Sequence, residues 1–463
     1  MRDVVQDAAL WPLAQWIASV PREADQRLRE RLFATTLDWS TALVAGLGHP
    51  LLPTYRDALS RRGETGPHRV AGEGQTHPLA TAATLNAAIG HFWEVDDAHR
   101  DSTSHPGITV IPGLIALAEI MPDRRPHLGA AIVAGFEAIL RIGSYLGAGH
   151  YAVNHTTATA GTLGAAAGAA RFLGLDAKRT LWTLGHAGTQ AAGLWQFLDD
   201  GATRAKAFHA SIAARNGLAA AQLAQAGIEA ATHILEGPRG MLASWRLAGG
   251  DPAWLQPDGD PMIHSVTIKG WPTCGQTHSA LDAARHLAEM LGDDAAAAQS
   301  VTVDLPQAAL DIASIADPQN VAEAKFSTAF CIAAALRGTP PDFRGLTPEL
   351  VADPAIRDLA RRVELRADPA FNARFPKERP ARVTVTLPDG RNRSEERAFR
   401  GGDPEAPWSE AQLLQRSRDV LSLAPVALDP QPLIDWSRAL SEGDPDWTPL
   451  TLFDFARRAA GQG

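Results

Sequence analysis

The segment Asn154 to Ala170, NHTTATAGTLGAAAGAA, constrains this chain more than any other, because a single histidine heads a run built almost wholly from Ala, Gly and Thr. Such a run favours helix but carries no bulk, so it reads as a buried helix against which neighbouring backbones come close. His155 and the threonine hydroxyls are then delivered at its N-terminal end. Unpaired N–H groups and a partial positive charge at that end suit an anion. The competing reading is a close-packed core helix whose first histidine is merely satisfied.

At 463 residues the chain is long enough for two or three domains. A hydrophobic content of 45% and a charged content of 21% are ordinary for a globular protein. The net charge of −9 is scattered, with no Lys/Arg block, so no nucleic-acid partner and no membrane surface is expected, and an anionic substrate has to be held by local cations. Cys274 and Cys331 are too few for a disulfide framework or a cysteine-held iron–sulfur cluster. The opening MRDVVQDAALWPLAQWI lacks a secretory apolar region with a cleavage site, and no stretch approaches the ~20 apolar residues of a membrane span. A cytoplasmic location is the expectation.

Helical spacing or propensity marks Leu10 to Ala18, Arg27 to Leu47, Leu79 to Phe92, Gly113 to Ile120, Leu128 to Leu146, Thr159 to Leu173, Arg179 to Ala192, Ala205 to Gly227 and Ala230 to Glu236. The character changes after Asp251, where DPAWLQPDGDPM precedes a strand-like alternation at His264 to Ile268. Beyond it a helix at His278 to Leu291 mixes with β-branched runs at Ser300 to Asp304 and Ala381 to Leu387, which suggests antiparallel strands packed on helices. Helical pattern returns in Ser409 to Leu423, Gln431 to Glu442 and Trp447 to Arg458. The expected fold is mainly α: a large all-helical domain over 1–260, rejoined by 402–463, and a smaller α+β lid domain over 261–401.

Three clusters carry chemistry. HFWEVDDAHRDSTSHPG, His91 to Gly107, packs Glu94, Asp96, Asp97, His99, Asp101 and His105 into one stretch. If the helix runs through Asp97, Glu94 shares a face with Asp97, and a carboxylate beside an imidazole makes a general base. The spacing matches no metal-site template, so no metal is expected. In LDDGATRAKAFHASIAARNG, Lys206 and His209 fall on one helical face, and a buried lysine there needs an anion opposite. In IKGWPTCGQTHSALDAA, Lys269 falls at a strand end, Cys274 in a loop and His278 at a helix start. Cys274 has no base beside it in sequence and reads as a small buried residue rather than a nucleophile. Together the clusters suit proton transfer on a small polyanion, with lysines clamping carboxylates and an imidazole working at the neighbouring carbon.

These segments, with ILEGPRGML at Ile234 to Leu242 and FSTAFCIAAAL at Phe326 to Leu336, resemble the MmgE/PrpD family, which includes 2-methylcitrate dehydratase, cis-aconitate decarboxylase and iminodisuccinate epimerase. The resemblance implies a homodimer, an active cleft between the helical domain and the lid, and chemistry without a cofactor. It places the family's polar site residues on Glu94, His105, His155, Lys206 and Lys269; taken with the clusters, His105, His155, Lys206 and Lys269 are expected to be catalytic, and Glu94, Asp97, His209, Cys274 and His278 to bind substrate. The chain departs from the decarboxylase pattern at Glu94, Ala98, Cys274 and Phe330, where an Asp, a Thr, a His and a Tyr are usual. The resemblance implies a lyase acting α to a carboxylate, foremost a 2-methylcitrate dehydratase-like hydro-lyase. Epimerase-like and decarboxylase-like reactions are the alternatives, and a non-catalytic helical binding protein stands behind them.

Overall fold

A computed structural model describes residues 6–60 and 63–462, so residues 1–5 of the opening segment read for a leader lie outside the described residues. The chain divides into two compact units, Met1–Val266 with Leu423–Gly463, and Thr267–Ser422. It is mainly α-helical.

Helices make the first unit. In chain order they are α1 (Trp11–Ser19), α2 (Gln26–Gly46), α3 (Leu52–Leu59), α4 (Leu79–His91), α5 (Pro106–Ile120), α6 (Leu128–Tyr151), α7 (Thr156–Leu173), α8 (Ala177–Gly188), the single turn α9 (Gln196–Asp199), α10 (Lys206–Gln225) and the short α11 (Met241–Trp245). Gln431–Glu442 and Leu450–Ala459 complete the unit, the first of them packed on α2. A two-residue ribbon pairs β1 (His68–Arg69) with β2 (Thr76–His77). Asp25 and Asp176 cap α2 and α8 by accepting the backbone N–H of Leu28 and Arg179.

The small-residue run is α7, packed chiefly against α6 and α10 and also against α5 and α8. A Cβ at Gly164 would stand 2.7 Å from Ile139 Cβ and 3.0 Å from the Gly135 carbonyl oxygen, so the α6–α7 crossing requires a residue without a side chain there. The helix ends at Gly174, whose φ of 74° is the left-handed cap that glycine adopts at no steric cost.

Four sequence expectations need correction in this unit. α6, with the 3₁₀ turn before it, is long and apolar enough to cross a membrane by length and composition, but 94% of its apolar window is buried, as in a core helix. Its internal pair Glu137–Arg141 pins the connection after α11: Arg141 donates to the carbonyls of Gln256 (2.8 Å) and Asp258 (3.1 Å), and Glu137 accepts the Met262 N–H at 2.7 Å. Ala230 to Glu236 forms turns instead of a helix, because Gly237 and Pro238 follow at once and the carbonyls of Ile234 and Leu235 are taken by Met241 and Leu242. His264 to Ile268 begins in a 3₁₀ turn, Met262–Ser265, and not in a strand. Arg31 takes up the carbonyls of Ile263 and Val266, which a partner strand would otherwise need. The expected Gly113 to Ile120 helix starts earlier, at Pro106, where proline is suited to the first turn.

The second unit is built on a sheet of β3 (Ser300–Leu305), β4 (Val363–Ala367), β5 (Ala381–Thr386) and β6 (Asn392–Arg397), in the order β4-β3-β5-β6. β3 pairs antiparallel with β5, Val303 opposite Val383, and parallel with β4, Val303 opposite Leu365. The sheet is therefore mixed, against the expectation of antiparallel strands alone. Helix α12 (His278–Leu291) lies against β5 and β6, and Thr328–Leu336 packs on α12. Val301, Val303, Val383 and Val385 meet Leu281, Leu287 and Phe330 in the core of this unit.

Candidate active site

Helix α4 stops at His91, short of the expected run through Asp97, and Glu94 turns the chain with a φ of 62°. Left-handed backbone disfavours a side chain with a Cβ, so this turn is held by its partners. His91 Nδ1 lies 3.0 Å from Asp96 Oδ1, and the Trp93 indole N–H donates to the Ala45 carbonyl at 2.9 Å. The acidic loop that could have been a solvated helix end is instead folded inward: Asp96 and Asp97 are 1% and 2% exposed.

His105 is the N-cap residue of α5. Its Nδ1 lies 2.7 Å from the Asp97 carbonyl oxygen and 3.3 Å from Asp96 Oδ2. Both are acceptors, so Nδ1 carries the proton and Nε2 is the basic nitrogen of this ring. Its backbone N–H donates to Thr157 Oγ1 at 3.1 Å, tying the start of α5 to the start of α7. Asp97 does not face outward with these groups. Its carboxyl accepts the Gly107 N–H at 2.9 Å, and burial, then Asp38 and Asp96, push it well above the usual carboxylate range. It caps the first turn of α5.

His155 heads α7, its Nδ1 3.1 Å from His209 Nδ1 on α10. The His155 ring packs 4.4 Å from Trp195 and 6.2 Å from His105, centroid to centroid. Burial, helped by Lys206 and by His105, His209 and His91, holds His155 well below the ordinary histidine value. His209 is brought down to about 4, again chiefly by burial. Both rings are neutral at neutral pH. Lys206 is the first residue of α10, and the anion opposite it is Glu94. Burial alone would favour the neutral amine, but Glu94, with Asp96 beyond it, more than offsets that, and Lys206 is raised and charged. The N-termini of α5, α7 and α10 thus meet around one group of side chains. None of their N-cap residues caps its helix with its own side chain, but at α5 the Asp97 carboxyl already takes the Gly107 N–H, so it is the partial positive charge of α7 and α10 that remains for an anion.

In the second unit, Lys269 is 4% exposed and lies on an irregular segment instead of at a strand end. Its carbonyl accepts from Arg416 Nε, and the preceding Ile268 is held through its carbonyl by Trp408 Nε1 (2.9 Å) and through its N–H by the Gly402 carbonyl (3.1 Å). Gly402 has a φ of 89°, and a Cβ there would fall 2.0 Å from the Ile268 oxygen. Next to this segment, Asp403 pairs with Arg400 at 2.7 Å and accepts from Thr267 Oγ1. Cys274 receives backbone support from Lys325, its N–H donating to the Lys325 carbonyl at 2.9 Å. His278 is fully buried, with Nε2 donating to the Thr273 carbonyl at 3.1 Å; burial, then Arg400, brings it down to about 3. It braces the loop through that carbonyl. Phe330 is a core residue at 1% exposure, so its difference from the usual Tyr falls inside the packing of this unit.

Within the first unit, then, Glu94, His105, His155, Lys206 and His209 come together, while Lys269, Cys274 and His278 share the second. Sequence reasoning left His91 and Asp96 out of the site. The density of acids and histidines from His91 to His105 was their signal, and Asp96, shared by His91 and His105, is its centre.

A mainly helical protein with a histidine–lysine–carboxylate cluster at converging helix N-termini is the class that this fold and site define. The sequence pattern of the MmgE/PrpD N-terminal domain matches residues 12–251 and that of the MmgE/PrpD C-terminal domain matches residues 271–426; the chain belongs to the MmgE/PrpD family. It is similar to cis-aconitate decarboxylase of Mus musculus, 26% identical over 374 residues that cover 74% of this chain and 71% of the relative. Cis-aconitate decarboxylase of Homo sapiens is 26% identical, with 74% and 72% covered. That of Aspergillus terreus is 28% identical over 274 residues, covering 56% of this chain and 55% of the relative.

Proposed function

We propose that this chain is a lyase acting at the carbon α to a carboxylate of a small polycarboxylate, by general acid–base catalysis with its own side chains. The observation that carries the reading is the group His105, His155, Lys206 and Glu94 at three converging helix N-termini. The lysine ammonium and the helix ends favour a polyanion, and His105, with its proton held on Nδ1, offers Nε2 as the base. Charge that develops on the carboxylate during reaction would be stabilised by Lys206 and, as the family resemblance implies, by Lys269.

Loss of carbon dioxide is supported by the relatives named cis-aconitate decarboxylase. In that reaction the bond to the departing carboxylate breaks, the electron pair stays on carbon, and an imidazolium supplies the proton that quenches it. Loss of water, in the manner of 2-methylcitrate dehydratase, is the second reading. Ala98 and Cys274, where hydrogen-bonding residues usual in the decarboxylases are replaced, count against the substrate of those relatives and keep this reading beside the first. There a base takes the α-proton and an acid protonates the departing hydroxyl. A homodimer belongs to the same proposal.

The test is incubation with citrate, 2-methylcitrate, cis-aconitate and iminodisuccinate in deuterated water, followed by mass spectrometry. Loss of carbon dioxide or of water from one of them supports the lyase and separates the two readings. Deuterium uptake without loss of mass points to an epimerase, and neither turnover nor exchange leaves a binding protein; both overturn the proposal. Lys269→Ala with unchanged turnover would remove that residue from the mechanism.

A further inference from the structure

We propose that His209 is a positioning residue that acts through His155: one proton held between their Nδ1 atoms locks the two rings in opposite tautomers. One ring then offers a basic Nε2 and the other an Nε2–H. The functional part of this inference rests on the acid–base reading above; the tautomer part does not.

The geometry is direct. The two Nδ1 atoms are 3.1 Å apart, a hydrogen-bond distance. Two N–H groups pointed at each other repel, as do two lone pairs, so the arrangement requires one donor and one acceptor. The rings cannot slide out of that alignment. Trp195 packs 4.4 Å from His155, Phe197 stands edge-on 5.1 Å from His209, and the two histidines are 1% and 9% exposed. Charged and titratable groups facing the pair are Lys206 with its partner Glu94 on α10 and the following loop of α4, and His105 and His91 with Asp96. Lys206 and the other imidazoles disfavour added positive charge, and the pair is neutral as it stands.

A first proton taken up at an Nε2 leaves the ring–ring bond intact, since the new imidazolium keeps its Nδ1–H toward the other ring's lone pair. A second proton would put an N–H on both sides and break it. The pair therefore accepts and returns a single proton without rearranging, which is what a general base or acid must do once per turnover. His209 was expected to bind substrate; here its work is to orient and buffer His155.

The experiment is long-range ¹H–¹⁵N correlation NMR of the full chain labelled at histidine nitrogens, without substrate at neutral pH, with His155→Asn and His209→Asn used for assignment. One ring protonated at Nδ1 and the other at Nε2 is the expected result; the same tautomer in both rings overturns the proposal. His209→Leu should let the His155 tautomers average and lower kcat by about 10- to 100-fold with KM within about threefold, and His209→Asn, which can still bond at the Nδ1 position, should recover most of the loss. Equal losses in the Leu and Asn variants, both folded by circular dichroism, would also overturn it. Opposite tautomers in a protein that turns over no polycarboxylate would uphold the pair and remove the lyase reading.

Discussion

Replacing Asp403 by Asn should weaken the second unit in a pH-dependent way whose size follows from one buried pair. Asp403 is 1% exposed and its carboxylate is held by the Arg400 guanidinium, by Thr267 Oγ1 and by the Arg400 N–H. Burial works against ionisation, but the arginine and these hydrogen bonds win, and the group falls from an ordinary 3.8 to about 2. A depressed carboxylate contributes stability that is complete above the unfolded value and is lost as the pH falls through the folded one. The shift amounts to about 2 kcal/mol at neutral pH and to about half of that near pH 3. Asp403→Asn leaves Arg400 buried without its counter-charge, so the total loss at neutral pH should lie between about 2 and 5 kcal/mol. Urea unfolding followed by hydrogen exchange of β5, at pH 7 and near pH 3, reads the gap between wild type and variant. It should shrink by about 1 kcal/mol on acidification. The same gap at both pH values would refute the account of Asp403 as the ionised anchor beside Lys269.

Three further outcomes are expected. Gly164→Val should lower stability by about 1 to 3 kcal/mol, because its first added carbon already meets Ile139 Cβ at 2.7 Å; an unchanged melting temperature would refute close packing of α6 on α7. His150 and His209 lie near 4 and His278 near 3, against an ordinary 6.5, so the unfolded chain gains protons first and stability should fall as the pH drops from about 6.5 toward 4. His150→Phe should flatten that slope in thermal melts, and an equal slope would count against burial of the neutral ring. Glu94→Gln removes the main group raising Lys206, so the alkaline limb of kcat/KM should move to lower pH; a limb that stays put would take the Lys206 charge out of the reaction.

Much of the helical unit was legible because its cue is local. The small-residue run of α7 and the Lys206 to Gln225 helix announce themselves by composition and spacing, and His155 falls at the head of its helix as read, whereas the start of α5 at Pro106, beside His105, lay seven residues before the expected Gly113. The inward fold of Glu94 to Asp97 was not legible, since a helical continuation and a left-handed turn differ there by contacts outside one helical turn, with His105 and Gly107 further along the same segment and with Lys206, which is distant in sequence. β4 and β6 were missed for another reason. VELRA and NRSEER are edge strands with mostly polar, solvent-facing side chains, so they show no apolar alternation to read. At His264 the alternation was present but misleading, because the carbonyls were claimed by a side chain, Arg31.

Helix α7 also bears on how this protein can change over time. A helix with almost no side-chain volume has nothing to trim, and at Gly164 nothing can be added without displacing Ile139 or the α6 backbone. Compensation by a neighbour, the usual route by which a core drifts, is closed at that crossing. Variation is channelled to the end of the helix where His155 stands and to the loops that meet it. New substrates can then be tried at the rim while the scaffold beneath stays fixed, and a family built on such a helix can diversify its chemistry faster than its architecture.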